Sequence, residues 1–125
     1  MIYYGRSGVV SWSIKFYETE DGHNYVKEFL DNIEDSKLKA KVLHDIGLLQ
    51  QFGTKLPKPH ADYLEDGIWE LRTKQGSNIA RTLYFTVSGK TIILLNGFVK
   101  KTQKTPPGEI KKAKDNRDDY VRRHS

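Results

Sequence analysis

The sequence predicts a small α+β domain in which a helix hairpin and a C-terminal helix flank a largely antiparallel sheet, in the order β-α-α-β-β-β-α. Three observations lead to this reading. Apolar residues recur at helical spacing through 25–33 and again through 38–52. Three segments rich in β-branched and aromatic residues lie between 68 and 98, separated by glycine-containing turns. A proline pair, Pro106 and Pro107, then opens a last helical stretch. At 125 residues and 37% apolar content, the chain suits one domain spanning 1–125 with one modest core.

Taken in order, residues 10–18 alternate as a strand, with Trp12, Ile14 and Phe16 on one face and Ser11, Ser13 and Lys15 on the other. Asp21 and Gly22 end it. Tyr25, Val26, Phe29, Leu30 and Ile33 define a helix over about 23–33. Asp35 or Ser36 caps a second helix with apolar positions Leu38, Val42, Ile46, Leu49 and Phe52, and Gly53 is placed to stop it. Residues 55–67, with Pro57 and Pro59, read as a connection holding a short turn near Tyr63 and Leu64. Strands are expected over 68–73, 79–87 and 91–98, with Gly76 and Gly89 in the turns. The unbroken apolar run Ile92, Ile93, Leu94, Leu95 marks the last of these as central and covered on both faces. Ile110, Ala113, Tyr120 and Val121 supply the docking stripe of the final helix.

Charge divides the chain. Residues 1–54 carry 6 Lys/Arg against 8 Asp/Glu, a net of −2, whereas residues 55–125 carry 15 against 8, a net of +7. A pI near 9.3 favours an acidic partner, either nucleic acid or the acidic surface of another protein. The chain has no Cys, which rules out disulfides and thiolate chemistry and fits a reducing compartment. The opening MIYYGRSG is too short and polar for the core of a signal peptide, and no apolar run approaches the roughly 20 residues that span a bilayer. A cytoplasmic protein without a membrane anchor is therefore expected.

Among residue patterns that carry chemistry, none calls for a metal or another cofactor. His23, His44, His60 and His124 lack ligand spacing, Asp118 and Asp119 diverge on a helix, and no phosphate-cradling glycine loop or serine elbow is present. A set of cations remains: Lys55, Lys58, His60, Arg72, Arg81, Lys100, Lys101 and Lys104, with Lys111 and Lys112 following on the last helix. Arg72 ends one strand and Arg81 begins the next, so antiparallel pairing brings them close. Two neighbouring guanidiniums repel unless an anion lies between them; that anion is either a bound phosphate or the carboxylate of Glu70. RNA can be cleaved without metal if a protein aligns the 2′-hydroxyl, stabilises the charge on the phosphoryl oxygens and moves protons. Arginine and lysine suit the second task, and His60, beside the basic connection, suits the third. Lys100 and Lys101 are adjacent and diverge, so one of them is expected to enter such a site.

The segments GIWELRTKQGSNIARTLYF (67–85) and ILLNGFVKKTQKTPPGEIKKA (93–113), with KPHADYLEDG (58–67) before them and YVKEFLDNI (25–33) upstream, resemble the phage-protein-like HigB branch of the RelE/ParE toxin superfamily. The resemblance covers nearly the whole chain. It implies the RelE-like fold and a toxin of a type II toxin–antitoxin system, which cleaves messenger RNA on the ribosome through the 2′-hydroxyl and so inhibits translation. It also implies a cognate helix-turn-helix antitoxin, bound in a hetero-oligomer. Arg81 matches the strand arginine that contacts the scissile phosphate in RelE-like toxins, and Arg72 matches a basic residue at the end of the preceding strand. Lys100 and Lys101 occupy the stretch after the last sheet strand that supplies a further catalytic cation in such toxins, and the resemblance does not choose between them. No tyrosine follows KKTQKT where some relatives carry a catalytic aromatic, which leaves acid/base work to His60 or a lysine. Lys55, Lys58, Lys104, Lys111 and Lys112 are the expected RNA-backbone contacts.

Two other functions fit the same residues: a toxin or regulator that binds a protein target such as gyrase, and a plain RNA-binding domain. Trp12, Phe16, Trp69, Tyr84 and Phe85 read as core rather than as a stacking platform, which disfavours the second. An antitoxin can act by covering the cationic patch or by blocking entry to the ribosome; the acidic face formed by Glu28, Asp31, Glu34, Asp35 and Asp45 on the helix hairpin is the docking surface expected for the second mode.

Overall fold

The computed structural model describes residues 11–101 and 103–125. Val10, expected to open the first strand, and the leading MIYYGRSG lie outside the described residues. The elements are β1 (Ser13–Phe16), α1 (Tyr25–Asp31), α2 (Ser36–Phe52) with a 3-10 turn (Gly53–Lys55), β2 (Ala61–Glu65), β3 (Ile68–Gln75), β4 (Asn78–Val87), β5 (Thr91–Lys100) and α3 (Pro107–His124). They form the expected α+β architecture, with its helix hairpin, C-terminal helix and largely antiparallel sheet. The five strands lie in the order β1-β5-β4-β3-β2, and only β1 runs parallel to its neighbour β5. Among the described residues no helix is long and apolar enough to cross a membrane.

The sheet is covered on both faces, and its interior strand β5, second in the order, is apolar on both. Ile92 and Leu94 join Val26, Leu30, Leu38, Val42 and Leu49 of the hairpin in one cluster. Ile93 and Leu95 join Leu83, Phe85 and Ala113 in a second cluster under α3. All four β5 residues are fully buried, as expected of a strand flanked on both edges.

Caps set the helix ends. The side chain of Asn24 accepts from the Lys27 N–H at 3.0 Å, so α1 starts after His23. Asp35 caps α2, accepting from Lys37 and Leu38 N–H groups at 2.9 and 3.3 Å. Gly53 ends α2 at φ +56°, against the Trp12 side chain, so no Cβ fits there. Gly97 lets the Phe29 ring lie on β5: a Cβ at that position would fall 2.4 Å from the ring.

Four expectations change. Residues 61–65 form the edge strand β2 rather than a plain connection; its one buried residue is Ala61, so no apolar alternation announces it. Phe16 is 38% exposed and Tyr17 is buried instead, because the chain leaves β1 there and Tyr17 turns toward α3. The α3 stripe takes Asn116, whose side-chain amide donates to the Leu95 carbonyl at 3.2 Å, and leaves Val121 exposed. Asp45 is buried against β3, so it is not part of an acidic outer face.

The Tyr17 hydroxyl donates to Asp119 at 2.6 Å, and Arg123 Nε donates to the same carboxylate at 3.1 Å. Burial and the contact with Asp119 push the Tyr17 phenol up to about 12. The hydrogen bonds from Tyr17 and Arg123 hold the Asp119 carboxyl below the usual carboxylate range. A depressed carboxyl stabilises the fold above its unfolded value, near about 4, and loses that contribution as pH falls through the folded value. Asp119→Asn is thus expected to flatten the dependence of the melting temperature on pH below about 4. Two glycines test the packing in opposite directions. Gly97→Ala is expected to cost about 1–3 kcal/mol in urea denaturation by overpacking on Phe29. Gly47→Ala, with nothing within 4 Å in mid-helix, is expected to stabilise by about 0.4–1 kcal/mol.

Candidate active site

The β3–β4 register pairs Arg72 directly with Arg81, and alternation puts Glu70 on the same face. Glu70, 3% exposed, lies between the two guanidiniums. Its Oε1 is 3.4 Å from Arg81 Nε and its Oε2 is 3.8 Å from Arg72 Nε. At an effective dielectric of about 20, each contact contributes roughly 4–5 kcal/mol before desolvation. Two guanidiniums on one register pair repel unless an anion lies between them, so the single carboxylate makes the pair tolerable. Thr105 Oγ1 donates to Glu70 Oε1, and Arg81 Nη2 donates to the Gln103 carbonyl at 2.8 Å. The chain after β5 is thereby strapped over this trio. Arg81 has no exposed side-chain surface and lies 5.9 Å from the Phe98 ring centroid. Burial lowers the proton affinity of its guanidinium, with Glu70 opposing and Arg72 adding to the effect.

Arg72 differs from its neighbour in exposure. At 22% it opens into a cleft of about 460 Å³ between the Lys41–Asp45 turn of α2, the Pro59–His60 bend and the edge of β3. The edge is open there because pairing with β2 stops at Leu71, after which the Arg72 N–H donates to the His60 carbonyl at 2.8 Å. That bond fixes His60 beside Arg72. Lys41 Nζ donates to the Lys74 carbonyl at 3.2 Å, and Thr73 Oγ1 donates to Asp45 at 2.7 Å in the buried floor. Lys41, Arg72 and Lys74 against Asp45 leave the wall at +2 with both histidines neutral. The lining thus combines one arginine, two lysines and two histidines with one aspartate.

The other candidate residues are placed as follows. Lys100 pairs with Ile79 in register and sits two residues from Phe98, so it shares the Arg81 face, whereas Lys101 lies beyond the strand. Lys55 ends the 3-10 turn, and Lys58, exposed, pairs with Asp62 at 3.4 Å. Lys104 is exposed on the strap beside Gln103, which lines the cleft. Lys111 pairs with Asp115 at 3.0 Å, and Lys112 Nζ stands 4.3 Å from the Tyr25 ring centroid in a separate groove. These two are not brought to the cleft. Lys41, His44 and Lys74 were missed by sequence reading. A signal existed: Lys41 and His44 are i,i+3 on α2, flanking its apolar stripe.

If Glu70 is what reconciles the two arginines, its loss costs more than the loss of the exposed one. Glu70→Gln is expected to destabilise by about 3–5 kcal/mol, since it leaves buried charge uncompensated. Arg72→Ala is expected to cost less than about 1 kcal/mol in the same urea denaturation, because Arg81 still holds Glu70.

Residues 28–118 match the family described as Phage derived protein Gp49-like (DUF891). No curated protein matches the chain. The match covers over two thirds of the sequence and contains Glu70, both arginines and both cleft histidines, and the chain therefore belongs to the Gp49-like family of phage-derived proteins.

Proposed function

We propose that the protein is the toxin of a toxin–antitoxin pair and acts as a ribosome-dependent endoribonuclease that cuts messenger RNA by attack of the 2′-hydroxyl, without a metal ion. The observation that carries this reading is the meeting of Arg72 and His60 at one cationic cleft. Family membership and the sequence resemblance to HigB-like toxins support it. Arg72 receives the scissile phosphate and stabilises the charge that grows on its oxygens. His60 transfers a proton, and Lys100, with Lys104, steers the RNA backbone along the strap. Arg81 serves from beneath as a positioning residue, holding Glu70 and through it the Arg72 guanidinium. A cognate helix-turn-helix antitoxin silences the protein by docking on the α1–α2 hairpin and blocking entry to the ribosome.

Mapping of 5′ ends on translating ribosomes tests the reading. Cuts inside the reading frame are expected, insensitive to chelator once the ribosomes' own magnesium is controlled. Arg72→Ala is expected to lower the rate by about 100- to 1000-fold while the protein stays folded, since one transition-state contact contributes about 3–4 kcal/mol. A second reading, a toxin that binds a protein target such as gyrase, is favoured by the complete burial of Arg81, which presents no surface to RNA in this conformation. Intact messages alongside inhibited supercoiling would select it.

A further inference from the structure

We propose that His44 and His60 are the acid/base pair of the cleft, a neutral imidazole taking the 2′-hydroxyl proton and an imidazolium delivering a proton to the departing 5′-oxygen. This rests on the nuclease reading above and adds to it the second proton-transfer group. The chain has four histidines, and the fold uses them in two ways. His23 is 3.4 Å from Glu28 and packs edge-on against Tyr25. His124 stacks on Tyr120 at 4.0 Å, its Nδ1 engaged with the Tyr120 carbonyl. Among the described residues the imidazoles of His44 and His60 take part in no such hydrogen bond, ion pair or stack, and both line the same cleft, from α2 and from the bend before β2. Arg72 lines it with them, and Lys41, Lys74 and Asp45 are the other charged groups facing the two rings.

Cleavage by transesterification needs two proton transfers on opposite sides of the phosphorus, since O2′ attacks in line with the leaving O5′. The O2′–P bond forms as the O5′–P bond breaks, and the bonding pair leaves on O5′. One imidazole gains the proton that the 2′-hydroxyl loses, and the other gives its own to O5′. The pair keeps its net charge, and the products are a 2′,3′-cyclic phosphate and a 5′-hydroxyl. A single histidine would have to reach both oxygens, whereas residues on two walls divide the task.

The test uses the full chain on ribosomes programmed with a defined message. His44→Ala and His60→Ala are each expected to cut about 100- to 10,000-fold more slowly, with unchanged melting temperature and unchanged binding to a message carrying a 2′-deoxy nucleotide at the cut site. The bell-shaped pH–rate profile of the parent is expected to lose one limb in each variant. A message with a bridging sulfur at the 5′ position needs no acid, so it should restore one of the two variants and not the other. If His44→Ala retains the parent rate and both limbs, or if the sulfur substrate restores neither variant, the pairing is wrong while the nuclease reading stands. If the parent protein cuts no message with or without ribosomes, both fall together.

Discussion

The buried Glu70 carboxylate is the constraint on which the rest of the site depends. Antiparallel pairing sets Arg72 and Arg81 side by side, a costly arrangement without an anion between them. Glu70 meets both guanidiniums and also accepts from Thr105, so one carboxylate joins β3, β4 and the strap that follows β5. The trio keeps a net charge of +1, and its exposed portion is on Arg72. A positive charge thereby lines the cleft with a buried counter-ion behind it, and a phosphate-binding group that is held in place stabilises a transition state without reorganising.

The cleft exists because the sheet is uneven at one edge. β2 is five residues long and leaves the end of β3 uncovered, and α2 spans the gap from the hairpin side. Polar groups collect there for a physical reason: the open edge has backbone groups to satisfy, and Lys41 donates to the Lys74 carbonyl, while Thr73 Oγ1 donates to the buried Asp45 carboxylate. Two histidines whose imidazoles have no partner among the described residues then line a cavity whose wall is cationic. A smaller groove between α1, β5 and α3 carries Glu28 and Lys112 together and has no such bias of charge.

Much of this was legible from the residues. Apolar periodicity, caps and turn glycines revealed the hairpin, the three long strands and α3, because each follows from local rules. The continuous run at Ile92–Leu95 announced a strand with two covered faces. Less legible were features fixed by tertiary context. β2 buries only Ala61, so its pattern resembles a loop. Tyr17 replaces Phe16 in the core because a hydroxyl at that point can reach Asp119 on α3, about a hundred residues away. Asp45 reads as a surface acid on a helix, yet Thr73 draws it inward. The proximity of Arg72 to Arg81 and a role for Glu70 between them could be read from strand pairing, but the unequal burial of the arginines could not, since the strap that covers Arg81 comes from residues past 100. His44 escaped for a similar reason: its chemistry depends on what faces α2 rather than on its neighbours in sequence.

On the proposed function, a ribose–phosphate link of messenger RNA enters the cleft at Arg72. The most direct measurement is the structure of the protein on a ribosome whose message carries a 2′-O-methyl group at the cut site, which blocks attack while preserving shape. The expected result places the phosphate on the Arg72 guanidinium, with the imidazoles of His44 and His60 on its two sides and Arg81 still beneath Glu70. A phosphate bound at Lys111 and Lys112 instead, or a cleft turned away from the message, would contradict it.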